Sequence, residues 1–146
     1  MNHASSPPPS LAMTISELQD MLDGSFPGVT LPYTVDGLTP TTARLRQHVG
    51  VSHSRPGGTV SGPALMALAD CAAWAVILGR IGPVALSVTT SLHIDFLRKP
   101  DLVDLVAEAA LLKLGKRLAV ADVAIYSDGN DEMVAKAQVT YSIPPR

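Results

Sequence analysis

The feature that most constrains this chain is an apolar stretch, residues 64–78, that carries a single charged side chain, Asp70. Pro63, a residue suited to the first turn of a helix, comes just before it, and Gly79 and Gly82 follow it. The stretch is therefore predicted to form a helix. Because apolar residues occupy nearly every side of that helix, it must be surrounded by protein.

The segments on either side of this helix have the patterns of strands and short turns. A short amphipathic helix is predicted over residues 14–23, capped by Thr14 or Ser16 and ended by Gly24. Short turns between successive strands require antiparallel pairing. A curved antiparallel sheet wrapped around the long helix meets both needs, so the predicted fold class is α+β. The predicted strands are residues 33–49, bent at Thr39 and Pro40, and residues 86–97, 102–114, 118–127 and 133–143.

The strand predicted over residues 86–97 alternates between two kinds of side chain. Leu92 and Ile94 fall on one face, and Thr89 and His93 fall on the other. Such alternation is typical of a strand with one buried face. Thr89 is therefore expected on the opposite face from Leu92.

Composition limits the number of domains and the classes of partner. The 146 residues suffice for one domain, expected over residues 12–146. Residues 1–11, rich in Ser and Pro, are expected to be a disordered tail. The net charge of −2 argues against nucleic-acid binding, which needs a basic field. With 47% apolar and 16% charged residues, part of the surface is expected to be covered by another subunit.

Three further features bear on cellular location. The N-terminus has no basic segment followed by an apolar run, so no secretory signal is expected. The stretch 64–78 is shorter than the ~20 residues of a membrane span, and Asp70 interrupts it. The single cysteine, Cys71, forms no internal disulfide and is expected to be a core residue. Together these features predict a soluble, cytoplasmic protein that binds no membrane.

Asp70 is the strongest candidate for chemistry because an ionised carboxylate in apolar surroundings is costly unless it is hydrogen-bonded. The alternative is that Asp70 has a structural role, reaching solvent or capping a loop. The loop before the helix, residues 52–62, is rich in glycine and leads to a helix start, where the amides of Gly62, Ala64 and Leu65 are expected to be free. Gly62 N–H is a natural donor to a substrate oxygen, but Ser61 or Gly62 could equally be a simple helix cap.

The spacing of these two groups predicts a dimer. Asp70 lies eight residues after Gly62, which is roughly 12 Å along a helix. That distance is too long for both groups to act on one carbon within one chain. A site built across a subunit interface, with the amide from one subunit and the carboxylate from the other, resolves this.

Residues 58–70 (GTVSGPALMALAD) resemble the signature of PaaI-type hotdog-fold acyl-CoA thioesterases, and residues 89–98 (TTSLHIDFLR) resemble the strand that follows in that family. The resemblance covers about residues 33–143 and implies the hotdog fold, in the superfamily of 4-hydroxybenzoyl-CoA thioesterase. It also implies an acyl-CoA substrate, no cofactor besides the coenzyme A of that substrate, and a homodimer or a homotetramer built as a dimer of dimers.

The resemblance also assigns roles to individual residues. Asp70 corresponds to the helix carboxylate that attacks the thioester or activates water, Gly62 to the amide that polarises the carbonyl, and Thr89 to a hydroxyl that helps to hold the attacking water. The family usually has His-Gly-Gly where this chain has Ser61, Gly62 and Pro63, which makes Ser61 a further candidate. An Asn six residues before that His is replaced by Arg55, which is expected to contact Asp70 or an anionic acyl group.

Other residues are candidates for binding. Arg55, Gly58 and Thr59 lie in the glycine-rich loop and are expected to contact substrate. The cations of two turns are expected to hold the phosphates of coenzyme A, although each could equally be a solvated turn residue. The histidines lack the spacing of metal ligands, so no metal site is expected. The turn cations are Arg98, Lys99, Lys116 and Arg117.

Three functions follow from these observations. Hydrolysis of an acyl-CoA thioester is favoured, with Asp70 as base or nucleophile and Gly62 N–H stabilising the oxyanion. The missing His and Asn favour a non-catalytic acyl-CoA binding protein instead. An enoyl-CoA hydratase or dehydratase is the third candidate, although that chemistry needs a His beside the carboxylate. The acyl pocket is expected to depend on the packing of Met66, Trp74, Leu78 and Phe96.

Overall fold

The computed structural model describes residues 7–25 and 32–145. Its main elements are α1 (Ile15–Gly24), β1 (Tyr33–Leu38), β2 (Thr42–Gln47), β3 (Ser54–Arg55), β4 (Thr59–Val60), α2 (Gly62–Ile81), β5 (Val88–Phe96), β6 (Leu105–Leu114), β7 (Leu118–Ser127) and β8 (Met133–Ser142). A six-stranded antiparallel sheet forms most of the fold, and its spatial order is β1-β2-β6-β7-β8-β5. The small strands β3 and β4 form a separate hairpin.

The long helix α2 lies against the inner face of the curved sheet, as the sequence predicts. Leu68, Ala72, Val76 and Ile77 are fully buried on it, and the inward side chains of the central strands complete one core. The side of the helix that faces the sheet is closed to water, which explains why it carries no polar residues. Another side, which carries Met66, remains partly exposed in this chain. The predicted α+β class, with a curved antiparallel sheet around a long central helix, is confirmed.

The long helix is longer than predicted, which removes one sequence argument. It has 20 residues rather than the predicted stretch 64–78, because it begins at Gly62 and continues to Ile81. By length and composition it passes as a membrane-crossing helix, so the argument that the stretch is too short is wrong. The core helix of a folded domain meets the same criterion, and 56% of its most apolar window is buried inside this fold.

The short helix α1 is fixed by a reciprocal cap at its start. Thr14 Oγ1 accepts a hydrogen bond from Glu17 N at 3.1 Å, and Glu17 Oε1 accepts one from Thr14 N at 3.0 Å. This capping box satisfies two amides that the helix leaves free. Leu18 and Leu22 are buried against the core. The predicted short helix is confirmed, and of its two candidate caps, Thr14 and Ser16, the structure uses Thr14.

Several strand boundaries differ from the predictions by one to three residues; for example, the strand predicted over residues 86–97 is observed as Val88–Phe96. The strand expected from residue 102 begins at Leu105, since the carboxylate of Asp104 instead accepts a hydrogen bond from Val49 N at 3.1 Å. The loop expected over residues 52–62 contains the hairpin of β3 and β4. Of the expected tail, residues 1–6 lie outside the described part of the chain, and residues 7–11 have no helix or strand.

Replacing Leu68 by Ala should lower the free energy of unfolding by about 2–5 kcal/mol, because Leu68 is 0% exposed on α2 and its loss leaves a cavity that the surrounding sheet cannot close. Denaturant unfolding followed by circular dichroism measures this. Leu112→Ala is the control: its side chain is 59% exposed and the same change should cost about 0.5 kcal/mol. Equal losses for the two variants would contradict the assignment of α2 as the centre of the core.

Candidate active site

The carboxylate of Asp70 is half-buried and held by two hydroxyl groups from the sheet. Thr89 Oγ1 donates to Asp70 Oδ1 at 2.6 Å, and Tyr141 Oη donates to the same oxygen at 2.7 Å. Within residues 7–25 and 32–145, Oδ2 accepts no hydrogen bond. The carboxylate predicted to lie on an apolar helix is therefore stabilised by two hydroxyl donors on Oδ1, whereas Oδ2 has no donor among the described residues.

Thr89 reaches Asp70 because strand β5 contains a bulge. The pairing of β5 with β8 shifts between Thr89 and Ser91, so that Thr89 pairs with Tyr141 and Ser91 pairs with Thr140. The extra residue changes the alternation at that point and turns Thr89 toward the helix side. The expectation that Thr89 and Leu92 lie on opposite faces is therefore wrong, because strict alternation does not account for a bulge.

Tyr141 is a site residue that the sequence analysis missed. It is 4% exposed and lies on the inward face of β8, in line with Ala137 and Val139. Burial raises the pKa of its phenol well above the usual range, and the neighbouring charge of Asp70 raises the pKa further, although the hydroxyl of Thr89 opposes this. Tyr141 therefore remains a neutral donor. The signal in the sequence was the one hydroxyl on an otherwise apolar strand face.

The start of α2 presents one amide that has no hydrogen-bond partner in the described part of the chain. Ser61 is the N-cap, and its Oγ accepts a hydrogen bond from Ala64 N at 3.3 Å. Leu65 N donates to Ser61 O at 3.2 Å. Of the three amides expected to be free, only Gly62 N–H makes no hydrogen bond within the described residues. A Cβ atom added at Gly62 would lie 3.5 Å from the ring of Phe96.

The glycine-rich loop folds as a tight hairpin. Gly58 N donates to Arg55 O at 3.3 Å, which closes a four-residue turn that begins at Arg55. Gly57, the third residue of this turn, has a φ of 101°, a left-handed conformation that favours glycine. Arg55 is exposed, and it forms no ion pair with Asp70 in the described structure. Thr59 is buried and donates to Val60 O at 3.0 Å.

The predicted phosphate-binding cations differ in their surroundings. Arg98 is held by an ion pair with Glu132 at 3.2 Å and donates to Met133 O at 2.7 Å. Lys116 and Arg117 are exposed in the turn between β6 and β7 and form no ion pair with any described residue. These two are therefore freer than Arg98 to meet an anion.

Cys71 lies on α2, and its thiol is close to the phenol of Tyr33 on β1. Burial raises the pKa of the Cys71 thiol to about 12, and the charge of Asp70 adds to this. Burial also raises the pKa of Tyr33 above its usual range, and Cys71 adds to this effect. Both groups are uncharged near neutral pH, as expected of residues packed against the core.

Two surface cavities open on the outer face of the sheet, away from α2. One, of 460 Å³, lies beside Tyr126 and Asp128, and the other, of 440 Å³, lies over Ala110 and Ala124. Neither is lined by Asp70. Of the four side chains expected to shape a pocket, Leu78 is fully buried, whereas Met66 and Phe96 are 42% and 52% exposed. Across residues 7–25 and 32–145, no cluster of His, Cys, Asp or Glu side chains could hold a metal.

Residues 57–134 match the model of the thioesterase superfamily. The chain is 42% identical to a candidate thioesterase from Silicibacter sp. TM1040, with a TM-score of 0.86 and coverage of 94% of this chain and 96% of that one. It is 30% identical to a variant of the phenylacetic acid degradation protein PaaI from Thermus thermophilus, with a TM-score of 0.68 and coverage of 78% and 95%.

A curated relative, a candidate esterase of Thermoplasma acidophilum, is 29% identical over 89 residues. That alignment covers 61% of this chain and 66% of the relative, just under two thirds of its length. The resemblance inferred from residues 58–70 and 89–98 is therefore confirmed.

The Cys71 thiol should be inert in the folded protein. With a pKa of about 12, only about one thiol in ten thousand is ionised at pH 8, and the thiolate is the reactive form. We expect alkylation by iodoacetamide at pH 8 to be at least about a hundredfold slower in buffer than in urea. Mass spectrometry of timed samples measures both rates, and equal rates would show that the thiol is open and ionisable.

Proposed function

The chain belongs to the thioesterase superfamily, and from that premise we propose that it hydrolyses acyl-CoA thioesters to a free acid and coenzyme A, with Asp70 and Gly62 N–H as its catalytic groups. The family match and the 42% identical structure support a thioester hydrolase. The single observation that carries the assignment of residues is the Asp70 carboxylate, which is hydrogen-bonded on one oxygen only. It lies on a helix whose first amide, Gly62 N–H, likewise has no partner among the residues that the structure describes.

The reaction follows from these two groups. Asp70 removes a proton from a water molecule while the water oxygen bonds to the thioester carbon, and the carbonyl electron pair moves onto oxygen. Gly62 N–H donates to that oxyanion. When the carbonyl re-forms, the carbon–sulfur bond breaks and the departing thiolate takes the proton from Asp70. In the alternative route an oxygen of Asp70 bonds to the carbon, the carbon–sulfur bond breaks and coenzyme A leaves as the thiolate. Water then hydrolyses the mixed anhydride, which releases the free acid and restores the Asp70 carboxylate.

The proposed site is shared between two subunits. Both groups lie on α2, and their separation of eight residues places them roughly 12 Å apart. Strand β5 is the edge of the sheet nearest Asp70 and exposes apolar side chains, with Val88 56% and Phe96 52% exposed. An unpaired strand edge with exposed apolar residues favours pairing with a second copy. The Asp70 of one subunit would then act with the Gly62 of the other.

The coenzyme A part of the substrate is proposed to meet the exposed cations. Lys116 and Arg117 form no ion pairs in the described structure, so binding a phosphate breaks no existing interaction. Arg55 stands on the hairpin directly before α2 and is likewise exposed. Charge-assisted hydrogen bonds from Lys and Arg are the usual means of holding phosphates.

Replacing Asp70 by Asn should lower kcat for acyl-CoA hydrolysis by about a hundredfold or more, because the amide can neither accept the proton of water nor attack the carbonyl. Release of free thiol from a panel of acyl-CoAs measures this. Asp122→Asn makes the same change on the outer face of the sheet, where Asp122 pairs with Lys136, and should leave the rate unchanged. Equal rates for wild type and Asp70→Asn would refute the proposed function, and calorimetric binding without turnover would point to a binding protein.

Replacing Gly62 by Pro should lower kcat by about a hundredfold, because it deletes the amide that holds the oxyanion. Proline is tolerated in the first turn of a helix, and the ψ of 153° at Ser61 is compatible with a following proline. Gly62→Ala keeps the amide, and its added carbon would meet Phe96 at an ordinary 3.5 Å, so this control should remain active. If both variants are equally active, the amide has no catalytic role.

A mixed dimer tests the shared site directly. In a dimer with Asp70→Asn in one subunit and Gly62→Pro in the other, a site shared across the interface leaves one of the two sites intact, so about half of the wild-type activity should return. Co-expression with two affinity tags and purification on both isolates this species. A mixed dimer as inactive as its parents would place both groups of each site within one subunit.

A further inference from the structure

We propose that Tyr141 is a positioning residue for this reaction and that, together with Thr89, it fixes Oδ2 of Asp70 as the oxygen that reacts. The inference rests on the proposed function, since it concerns which atom of the Asp70 carboxylate acts. It adds a residue and an atomic assignment that the match to the thioesterase superfamily does not provide.

The first support is that both hydroxyl groups donate to the same oxygen. Thr89 Oγ1 and Tyr141 Oη lie 2.6 Å and 2.7 Å from Asp70 Oδ1. Each donated hydrogen bond draws negative charge onto Oδ1 and occupies its lone pairs. Oδ2 has no such partner among the described residues, so it is the oxygen free to accept a proton from water or to attack carbon.

The second support is the rigidity of the two donors. Thr89 and Tyr141 are directly opposite each other in the register of β5 and β8, so the ladder of backbone hydrogen bonds holds them side by side. The bulge after Thr89 turns its hydroxyl toward the same carboxylate. The two strands therefore hold both donors in contact with Oδ1 of Asp70.

The third support is the second contact of Tyr141. Its Oη also lies 3.1 Å from the backbone carbonyl oxygen of Asp70, so its single proton is shared between the backbone and the side chain of one residue. This contact fixes the phenol relative to the helix backbone and restrains rotation of the carboxylate. Tyr141 is 4% exposed, so its hydroxyl is shielded from water and does not itself contact a substrate.

Replacing Tyr141 by Phe tests the assignment because it deletes only the hydroxyl group and keeps the buried ring. Without that donor the carboxylate is less restrained, so kcat should fall about tenfold while KM changes less than twofold. This split is expected of a group that positions the reacting carboxylate and does not bind the substrate. Steady-state hydrolysis of the best acyl-CoA of the panel measures both. Tyr126→Phe makes the same change on the outer face of β7, where Tyr126 donates no hydrogen bond in the described structure, and should change neither constant.

A double variant that combines Thr89→Val with Tyr141→Phe tests whether both hydroxyl groups act on the same oxygen of Asp70. Thr89 is exposed on an edge strand and valine keeps its branched shape, so this variant should fold even if Tyr141→Phe proves unstable. Each single variant leaves one donor on Oδ1, whereas the double variant leaves none. The loss of kcat in the double variant should therefore exceed the product of the two single losses. If the loss of kcat in the double variant equals the product of the two single losses, the proposal that both hydroxyl groups hold the same oxygen is wrong.

The outcomes separate this inference from the proposed function. An inactive wild type, or an Asp70→Asn variant as active as wild type, overturns the proposed function. An active wild type and an inactive Asp70→Asn, together with a Tyr141→Phe that keeps the wild-type kcat, overturn only the role of Tyr141. A Tyr141→Phe whose loss appears in KM rather than kcat also overturns it, because that pattern indicates altered binding rather than a misplaced carboxylate.

Discussion

The fold depends on the burial of one apolar helix. Helix α2 cannot face water on any side that carries Leu68, Val76 or Ile77, since all three are fully buried. A sheet of six antiparallel strands, curved around the helix, removes these side chains from water and leaves the hydrophilic residues of the strands on its outer face. Helix α1 packs at one side, and its Leu18 and Leu22 extend the same core.

The position of the candidate site follows from this burial. A charged side chain on a core helix must meet either solvent or compensating donors. Asp70 lies on the part of α2 that faces the edge formed by β8 and β5, where Tyr141 and Thr89 supply two hydroxyl groups. The sheet that buries the rest of the helix is therefore also the source of the groups that hold its one carboxylate. The exposed apolar edge of β5 lies beside the same site.

The outer face of the sheet is stabilised differently. Its charges are arranged as cross-strand pairs, such as Arg44 with Glu108 at 3.3 Å, and Arg46 lies between Asp36 and Asp128 at 3.0 Å from each. Pairs of this kind are exposed and contribute little individually. They keep that face polar, which helps to distinguish it from the face that carries the helix. Both described cavities open there, away from Asp70.

Much of the fold and part of the site could be predicted from local sequence patterns. The apolar run of residues 64–78 after Pro63 predicted the core helix, and the amphipathic pattern of residues 14–23 predicted α1. The resemblance of residues 58–70 and 89–98 identified the family. These signals are local, because helix caps, turn residues and alternation depend on neighbours within a few positions. The bulge after Thr89 left no such signal, so the face of that residue was predicted wrongly.

The sequence by itself determined that one carboxylate would lie on an apolar helix, that a sheet had to cover that helix, and to which family the chain belongs. Only the tertiary structure decided that Tyr141 meets Asp70, because the two residues are 71 positions apart and are joined through strand pairing rather than local spacing. It also decided that Ser61 accepts a hydrogen bond from the Ala64 amide, whereas Gly62 N–H has no partner among residues 7–25 and 32–145. Hydrogen bonds of this kind depend on positions in space, which the order of residues alone does not specify.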